Sequence, residues 1–278
     1  MNVREVLRRA TEYLAAKGVD SPRLDAEHLL GRALGLSRLE LYMHHDRPLD
    51  DAERDVYREL IRRRGEREPL AYVLGDWDFR RLTLKVDARA LVPRPETEVV
   101  VERSLELLRG NERPRVIDVG TGTGAIALSI ALEHPGAEVT ALDVSAQALE
   151  LARENAASTG LADQVTFVQG DLHDGFGTHA YDLVVSNPPY VLRAELETVP
   201  PEVRDWEPRL ATLGTTHTET VAAEARAALC PGGHLVLEVA DERASDVGAL
   251  LERLGYDEVV ISPDLTGRDR IAEGRWAK

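Results

Sequence analysis

A single cysteine, Cys230, stands in 278 residues, which excludes an internal disulfide and any cysteine-based zinc cluster. Long apolar runs are also missing. Nothing approaches the roughly 18 continuous apolar residues of a membrane helix, so no membrane partner is expected. Met1-Asn2-Val3-Arg4-Glu5 leads straight into a charged amphipathic pattern; no signal peptide is expected, and cytoplasm is the expected location. The eight histidines show neither His-x-x-x-His nor His-Glu-x-x-His spacing, so no metal is expected. Positive charge is scarce and uneven. Residues 1–90 hold 18 Lys/Arg against 17 Asp/Glu, whereas 91–278 hold 16 against 32, and the whole chain carries −15. An acidic second half would be repelled by a phosphate backbone, and aromatics amount to only 5%. Direct contact with nucleic acid is therefore not expected. Repeats and low-complexity segments are absent, and 43% hydrophobic content is that of a globular protein.

What is present begins with short helices. Val3, Leu7, Ala10 and Leu14 recur at helical spacing up to Gly18. Ser21-Pro22 opens a helix reaching Gly35, and Ser37…Glu40 and Asp50…Glu53 have capping-box spacing. The helix after Asp50 carries Arg62-Arg63-Arg64 and ends at Gly65; these arginines read as a solvated face rather than an RNA contact. From Trp77 the period changes to two, with Leu82, Leu84 and Val86 alternating with polar residues. The expected division is a helical domain 1–74, a β-hairpin linker 75–95 and a domain 96–278. The last begins with a helix over 96–109. Strands at 116–119, 138–143, 165–169, 181–186 and 235–239 then alternate with helices at 124–134, 146–159, 220–229 and 244–254. Pro231-Gly232-Gly233 reads as the stop of the third of these helices, and strands near 257–261 and 270–276 close the chain. This pattern predicts a doubly wound, mainly parallel Rossmann-like sheet.

Strand 116–119 runs into Gly120-Thr121-Gly122-Thr123-Gly124 and then a helix. Such glycines permit a tight turn and let a ligand approach the backbone. Asp143 ends the next strand, where ribose hydroxyls would lie. The spacing indicates an adenosine-containing cofactor and also satisfies the dinucleotide pattern. Asp118 inside the incoming strand would repel a pyrophosphate but suits an ammonium group. Asp171, followed by Leu172, is placed to accept from an adenine amino group with Leu172 against the ring, or is a turn residue.

Asn187-Pro188-Pro189-Tyr190 follows strand 181–186, at the carboxyl edge where open α/β sheets bind ligands. An amide or adenine –NH2 is a poor nucleophile because its lone pair is delocalised. The Asn187 side-chain oxygen and the Pro188 carbonyl can each accept one N–H, which orients the nitrogen for in-line attack. Pro188 and Pro189 stiffen the backbone, and Tyr190 offers a flat face to a planar group. Asn187, Pro188 and Tyr190 are the expected catalytic set. Asn-Pro-Pro also makes an ordinary turn.

These residues together resemble the HemK-type release-factor glutamine methyltransferases. The likeness covers nearly the whole chain: the helical N-terminal domain, the hairpin, Leu91-Val92-Pro93-Arg94-Pro95-Glu96-Thr97-Glu98, the Asp118–Gly124 loop, Asn187-Pro188-Pro189-Tyr190, Glu207-Pro208, and Asp264-Leu265-Thr266-Gly267-Arg268-Asp269-Arg270. It implies S-adenosylmethionine as cofactor, held by Asp118, Gly120, Thr121, Gly122, Thr123, Gly124, Asp143, Asp171, Leu172 and Asn187. It implies class I peptide-chain release factors as protein substrate, with the N-terminal domain gripping the factor; a monomer is expected. Arg94 and Glu98 would lie near the substrate, with Asn187, Pro188, Pro189 and Tyr190 around the reacting group. One stretch departs from the family pattern. Residues 211–219 read Ala-Thr-Leu-Gly-Thr-Thr-His-Thr-Glu where an Ala-Leu pair, two glycines and Asp-Gly are usual. Competing readings are an amino-group methyltransferase on adenine or guanine, a glutamine of a ribosomal protein as substrate, a nicotinamide oxidoreductase, which leaves residues 187–190 unexplained, and a non-catalytic cofactor-binding module.

Overall fold

The computed structural model describes residues 1–214 and 216–277. The chain forms two compact units, Met1–Asp76 with Pro200–Trp206, and Trp77–Val199 with Glu207–Lys278.

The first unit holds α1 (Val3–Ala16), α2 (Pro22–Leu34), α3 (Arg38–Met43), α4 (Asp51–Gly65) and α5 (Leu70–Leu74). Its boundaries follow local chemistry. Ser37 and Asp50 each close a full capping box with Glu40 and Glu53, and Gly35 ends α2 in the left-handed conformation at φ 64°. Val3, Leu7, Ala10 and Leu14 of α1 pack with Leu29, Leu30, Tyr57 and Ile61 into one core, and Tyr57 Oη donates to the Ala26 carbonyl at 3.1 Å.

The second unit begins with a hairpin, β1 (Asp76–Phe79) and β2 (Leu82–Lys85), then α6 (Thr97–Leu107), β3 (Arg115–Val119), α7 (Ala125–Glu133), β4 (Glu138–Asp143), α8 (Ala146–Thr159), β5 (Val165–Gln169) and β6 (Tyr181–Ser186). The chain then contributes α9 (Pro201–Trp206) to the first unit and returns through α10 (Arg209–Thr212), α11 (His217–Ala228), β7 (Leu229–Glu238), α12 (Ala244–Leu254), β8 (Asp257–Pro263) and β9 (Asp269–Trp276). The seven-stranded sheet has the order β5-β4-β3-β6-β7-β9-β8. Its first five strands are parallel, and β9 runs antiparallel to both neighbours. Strand alternation divides the core in two. Val116, Leu183, Val185 and Val236 join Val100 of α6 and Ile126 and Ile130 of α7 on one face. Ile117, Val184, Leu235 and Leu237 join Val221 and Ala225 of α11 and Leu251 of α12 on the other. Chain order reverses between β3 and β6, so the loops leaving their carboxyl ends flank the cleft typical of such sheets.

Two expectations change. The stop read at Pro231-Gly232-Gly233 lies inside β7: Leu229 pairs with Tyr181, the register shifts, and the ladder resumes at His234 opposite Leu183. A bulge accommodates the prolyl-glycyl run without ending the strand. The arginine run is not one solvated face. Arg62 is exposed and pairs with Glu59 and Glu66, but Arg64 is 6% exposed and binds Asp25 at 2.7 Å and Glu202 of α9 at 2.8 Å. The hairpin from Trp77 onward belongs to the second unit, where Phe79, Leu82 and Leu84 are buried.

Candidate active site

A cavity of about 260 Å³ opens in the second unit at the carboxyl ends of β3, β4 and β6. The sequence-expected residues Gly120, Thr121, Gly122, Thr123, Asp143, Asp171, Leu172, Asn187, Pro189 and Arg94 line it. Asp118, Gly124, Pro188, Tyr190 and Glu98 do not.

The glycine loop leaves β3 through Gly120, Gly122 and Gly124, all at positive φ (78°, 57° and 83°). A Cβ on Gly120 would meet nothing within 4 Å, and one on Gly122 only the Ala90 side chain at 3.9 Å. Both therefore leave backbone open to a ligand. Gly124 has a different task. It caps α7, and a Cβ there would press on Leu128 at 3.1 Å and Ala152 at 3.3 Å.

Three carboxylates organise the loop. Asp118 is fully buried; its Oδ2 accepts from Thr121 Oγ1 at 2.7 Å and the Ala127 N–H at 3.2 Å. Its Oδ1 has no partner among the described residues. Burial pushes the Asp118 carboxyl up to about 7. Asp143 accepts from the Gly122 N–H with one oxygen and the Ser145 N–H with the other, each at 2.9 Å. Burial raises its pKa despite those bonds. Asp171 accepts from the His173 N–H at 2.9 Å and so caps a 3-10 turn over Leu172–Asp174. It is a turn residue and a cavity-lining residue at once.

On the β6 side, Ser186 Oγ donates to the Val119 carbonyl at 2.6 Å, fixing the two strand ends together. Asn187 Nδ2 donates to Thr97 Oγ1 at 3.3 Å, and Thr97 Oγ1 donates to Glu238 Oε2 at 2.6 Å. Pro188 is buried. Tyr190 lines a neighbouring cavity with Arg243 and His217; its carbonyl accepts from Arg243 Nη1 at 2.6 Å, and burial pushes its phenol up to about 12. Glu98 lies outside the cavity lining, and its Oε1 accepts from the Arg80 N–H at the hairpin turn, 3.1 Å away. In the atypical segment, Thr215 lies outside the described residues. Val191 bridges Leu213, and a Cβ on Gly214 would fall 1.8 Å from the Pro189 carbonyl oxygen.

Sequence reasoning gave no role to Thr97, Glu207, Glu238, Arg243 or His217. One signal was available for Glu238. It is a charge in an otherwise apolar run, Leu235-Val236-Leu237-Glu238-Val239, as Asp118 is in Val116-Ile117-Asp118-Val119.

A glycine loop after the first strand of a doubly wound sheet, an acidic residue closing the second strand, and Asn-Pro-Pro-Tyr at the fourth define an S-adenosylmethionine-dependent methyltransferase. Two family models match, the PrmC N-terminal domain over residues 5–75 and the methyltransferase small domain over 101–200. The chain is 45% identical to the release factor glutamine methyltransferase of Deinococcus radiodurans, over all of this chain and 99% of that one. Its counterparts from Chlorobaculum tepidum and Rhodopirellula baltica are 41% and 40% identical, each over 97% of this chain and 95% and 94% of their own. The chain belongs to the release factor glutamine methyltransferase family. Among solved structures, the hMettl16 catalytic domain, determined with an RNA hairpin, superposes with TM-score 0.57 at 18% identity, over 70% of this chain and 75% of that one; this is a likeness of fold.

The cavity fits the cofactor of that class. Gly120 and Gly122 leave the backbone uncovered, and the Asp143 carboxylate lines the cavity at the end of β4, while Asp118, outside the lining, braces the loop through Thr121. Among the described residues no helix is long and apolar enough to cross a membrane, and no cluster could hold a metal ion.

Proposed function

We propose that this protein transfers a methyl group from S-adenosylmethionine to the side-chain amide nitrogen, N5, of the glutamine in the Gly-Gly-Gln tripeptide of class I peptide-chain release factors. The observation that carries the reading is Asn187, which lines the same cavity as the glycine loop and spends its amide N–H on Thr97. The carboxamide oxygen is thereby left to accept from a substrate –NH2. The Pro188 carbonyl would take the second N–H, and Pro189 and Tyr190 would flank the planar group. Arg94 would lie beside it, while Glu98 would act only through the hairpin. Gly120, Thr121, Gly122, Thr123, Asp143, Asp171 and Leu172 would hold the cofactor, with Asp118 and Gly124 shaping the loop. Bound there, S-adenosylmethionine supplies an electrophilic methyl. The chain's own contribution is to orient a weak nucleophile and oppose the charge developing on it. No side chain is assigned as general base, because an amide nitrogen that has gained a methyl is strongly acidic and gives its proton to solvent. Residues 1–74 would recognise the rest of the factor, residues 75–95 would link, and 96–278 would catalyse, in a cytoplasmic monomer.

The test is incubation with methyl-labelled S-adenosylmethionine and a purified release factor, beside a copy whose Gly-Gly-Gln glutamine is alanine. Label on the native factor alone, mapped to that side chain by mass spectrometry, is the expected result. Label on both, or on neither while the cofactor binds, would refute it.

A further inference from the structure

We propose that Thr97 and Glu238 form a positioning pair that sets which end of the Asn187 carboxamide faces the substrate. The inference rests on the reading of Asn187 as the acceptor for the substrate amide. The three residues come from separate places: Thr97 is the first residue of α6, Asn187 follows β6, and Glu238 ends the adjacent parallel strand β7. Thr97 is 5% exposed and Glu238 1%, so water cannot substitute freely for either partner.

Proton counting gives the pair its direction. A carboxamide has a donating and an accepting end, and nothing in its shape favours one over the other. A threonine hydroxyl carries one hydrogen. Here that hydrogen goes to Glu238 Oε2 at 2.6 Å, the short distance of a charge-assisted bond. The Thr97 oxygen is then left with lone pairs only. It can receive a hydrogen from Asn187 but cannot give one, so the –NH2 of Asn187 must turn to Thr97, as it does at 3.3 Å. The carbonyl of Asn187 is forced to the other side, where a substrate N–H needs an acceptor. Were Asn187 to flip, two acceptors would face each other across the Thr97 contact, at the cost of a lost hydrogen bond in a buried place. An ionised carboxylate at the far end thus polarises a hydroxyl in the middle and orients an amide at the near end.

Glu238 does not stand alone electrically. Burial pushes its carboxyl up to about 7, opposed by the Thr97 hydrogen bond and the charges of Arg270 and Arg94 and reinforced by Glu96; the Tyr190 phenol also feels its charge. Protonated Glu238 could donate to Thr97 in turn, and the polarity of the chain would no longer be imposed. The orienting effect therefore strengthens as pH rises through the range in which Glu238 ionises.

The experiment compares Thr97→Val, Thr97→Ser, Glu238→Gln and Asn187→Ala in the full chain, with a class I release factor as substrate. It records kcat, KM for the factor, and the Kd for S-adenosylmethionine as a check on folding. Thr97→Val keeps the shape of the side chain and loses the hydroxyl; kcat should fall roughly tenfold to a hundredfold, the scale of a misaligned contact, with cofactor Kd within about threefold of wild type. Thr97→Ser should restore most of kcat. Wild type should show kcat rising with pH between about 6 and 8, and Glu238→Gln should lose that rise. If Asn187→Ala is inactive while Thr97→Val retains wild-type kcat, the pair has no positioning role. Failure of Thr97→Ser to recover kcat would mean that packing, not the hydroxyl, matters, and would overturn the inference equally. If Asn187→Ala itself remains active, the fault lies with the reading of Asn187 and the pair falls with it.

Discussion

Arg94 Nη2 donates to both carboxylate oxygens of Glu207, at 2.8 and 2.7 Å, and the Glu207 side chain is 1% exposed. Glu207 also accepts from the Val92 N–H at 3.3 Å. One buried acid therefore joins the Leu91–Arg94 stretch to the start of the 207–214 stretch, and both contribute to the cavity lining through Arg94 and Pro208.

Arg94→Ala should leave Glu207 buried and unneutralised, costing about 1–3 kcal/mol of stability. Burial already holds the Glu207 carboxyl above its usual range, with Arg94 opposing. For an acid raised in the folded state, stability is full below the unfolded pKa and is lost as pH rises toward the folded one. The loss in Arg94→Ala should therefore be smallest near pH 4 and grow toward neutrality. Urea titrations across that range check it, and a loss independent of pH would contradict the assignment.

Asp118 should titrate with the cofactor. Its carboxyl is pushed up to about 7 by burial, so between the ordinary carboxylate range and about pH 7 the unfolded chain is ionised while the folded one holds a proton. Rising pH costs stability across that window and not above it. Asp118→Asn should flatten that part of the stability profile. A cationic ligand group near Asp118 favours the ionised form, so S-adenosylmethionine binding near pH 6.5 should release protons. Calorimetry in buffers of different ionisation enthalpy measures the release, and equal release by Asp118→Asn would remove Asp118 from the account.

Gly214→Ala should disturb residues 187–190 without touching the glycine loop. The added Cβ would sit 1.8 Å from the Pro189 carbonyl oxygen and 2.6 Å from its carbon, and backbone must move to relieve it. Gly214 also donates its N–H to the Val191 carbonyl at 3.1 Å. Methyl transfer should drop by about tenfold or more, in line with a displaced substrate contact. Cofactor affinity should change little. A large loss of cofactor affinity instead would place the damage elsewhere.

In the first unit, Arg64→Ala should be strongly destabilising, by about 3 kcal/mol, because it strands buried charges. Arg64 binds Asp25 and Glu202 and donates to the Glu68 carbonyl at 3.1 Å. Arg62→Ala on the same helix removes an exposed side chain and should cost far less than Arg64→Ala. Denaturant midpoints of the two variants separate the cases.

Contiguous chemistry was legible in the sequence. The capping pairs Ser37–Glu40 and Asp50–Glu53, the glycine loop after 116–119 and the Asn187–Tyr190 motif each lie within a few residues, and local rules find them. Thr97 and Glu238 are 141 residues apart, and Arg94 and Glu207 are 113 apart. Tertiary folding brings such pairs together, and hydrophobic periodicity does not encode it. The β7 bulge escaped for the opposite reason. Pro231-Gly232-Gly233 has the local chemistry of a stop, and its pairing with β6 overrode that signal.

The membership of α9 in the first unit bears on modularity. The polypeptide changes unit three times, at residues 76–77, 199–200 and 206–207. A single cut after Asp76 would not yield two complete pieces, because Glu202 would travel with one fragment while Arg64 and Arg67, its ion-pair partners, travelled with the other. A swap of N-terminal domains between relatives meets the same constraint: the donor's N-terminal helices must bring their own version of residues 200–206, or the Arg64–Glu202 and Arg67–Glu202 pairs are split between parents. Chimaeras built with both segments should fold where those built from the N-terminal segment alone fail.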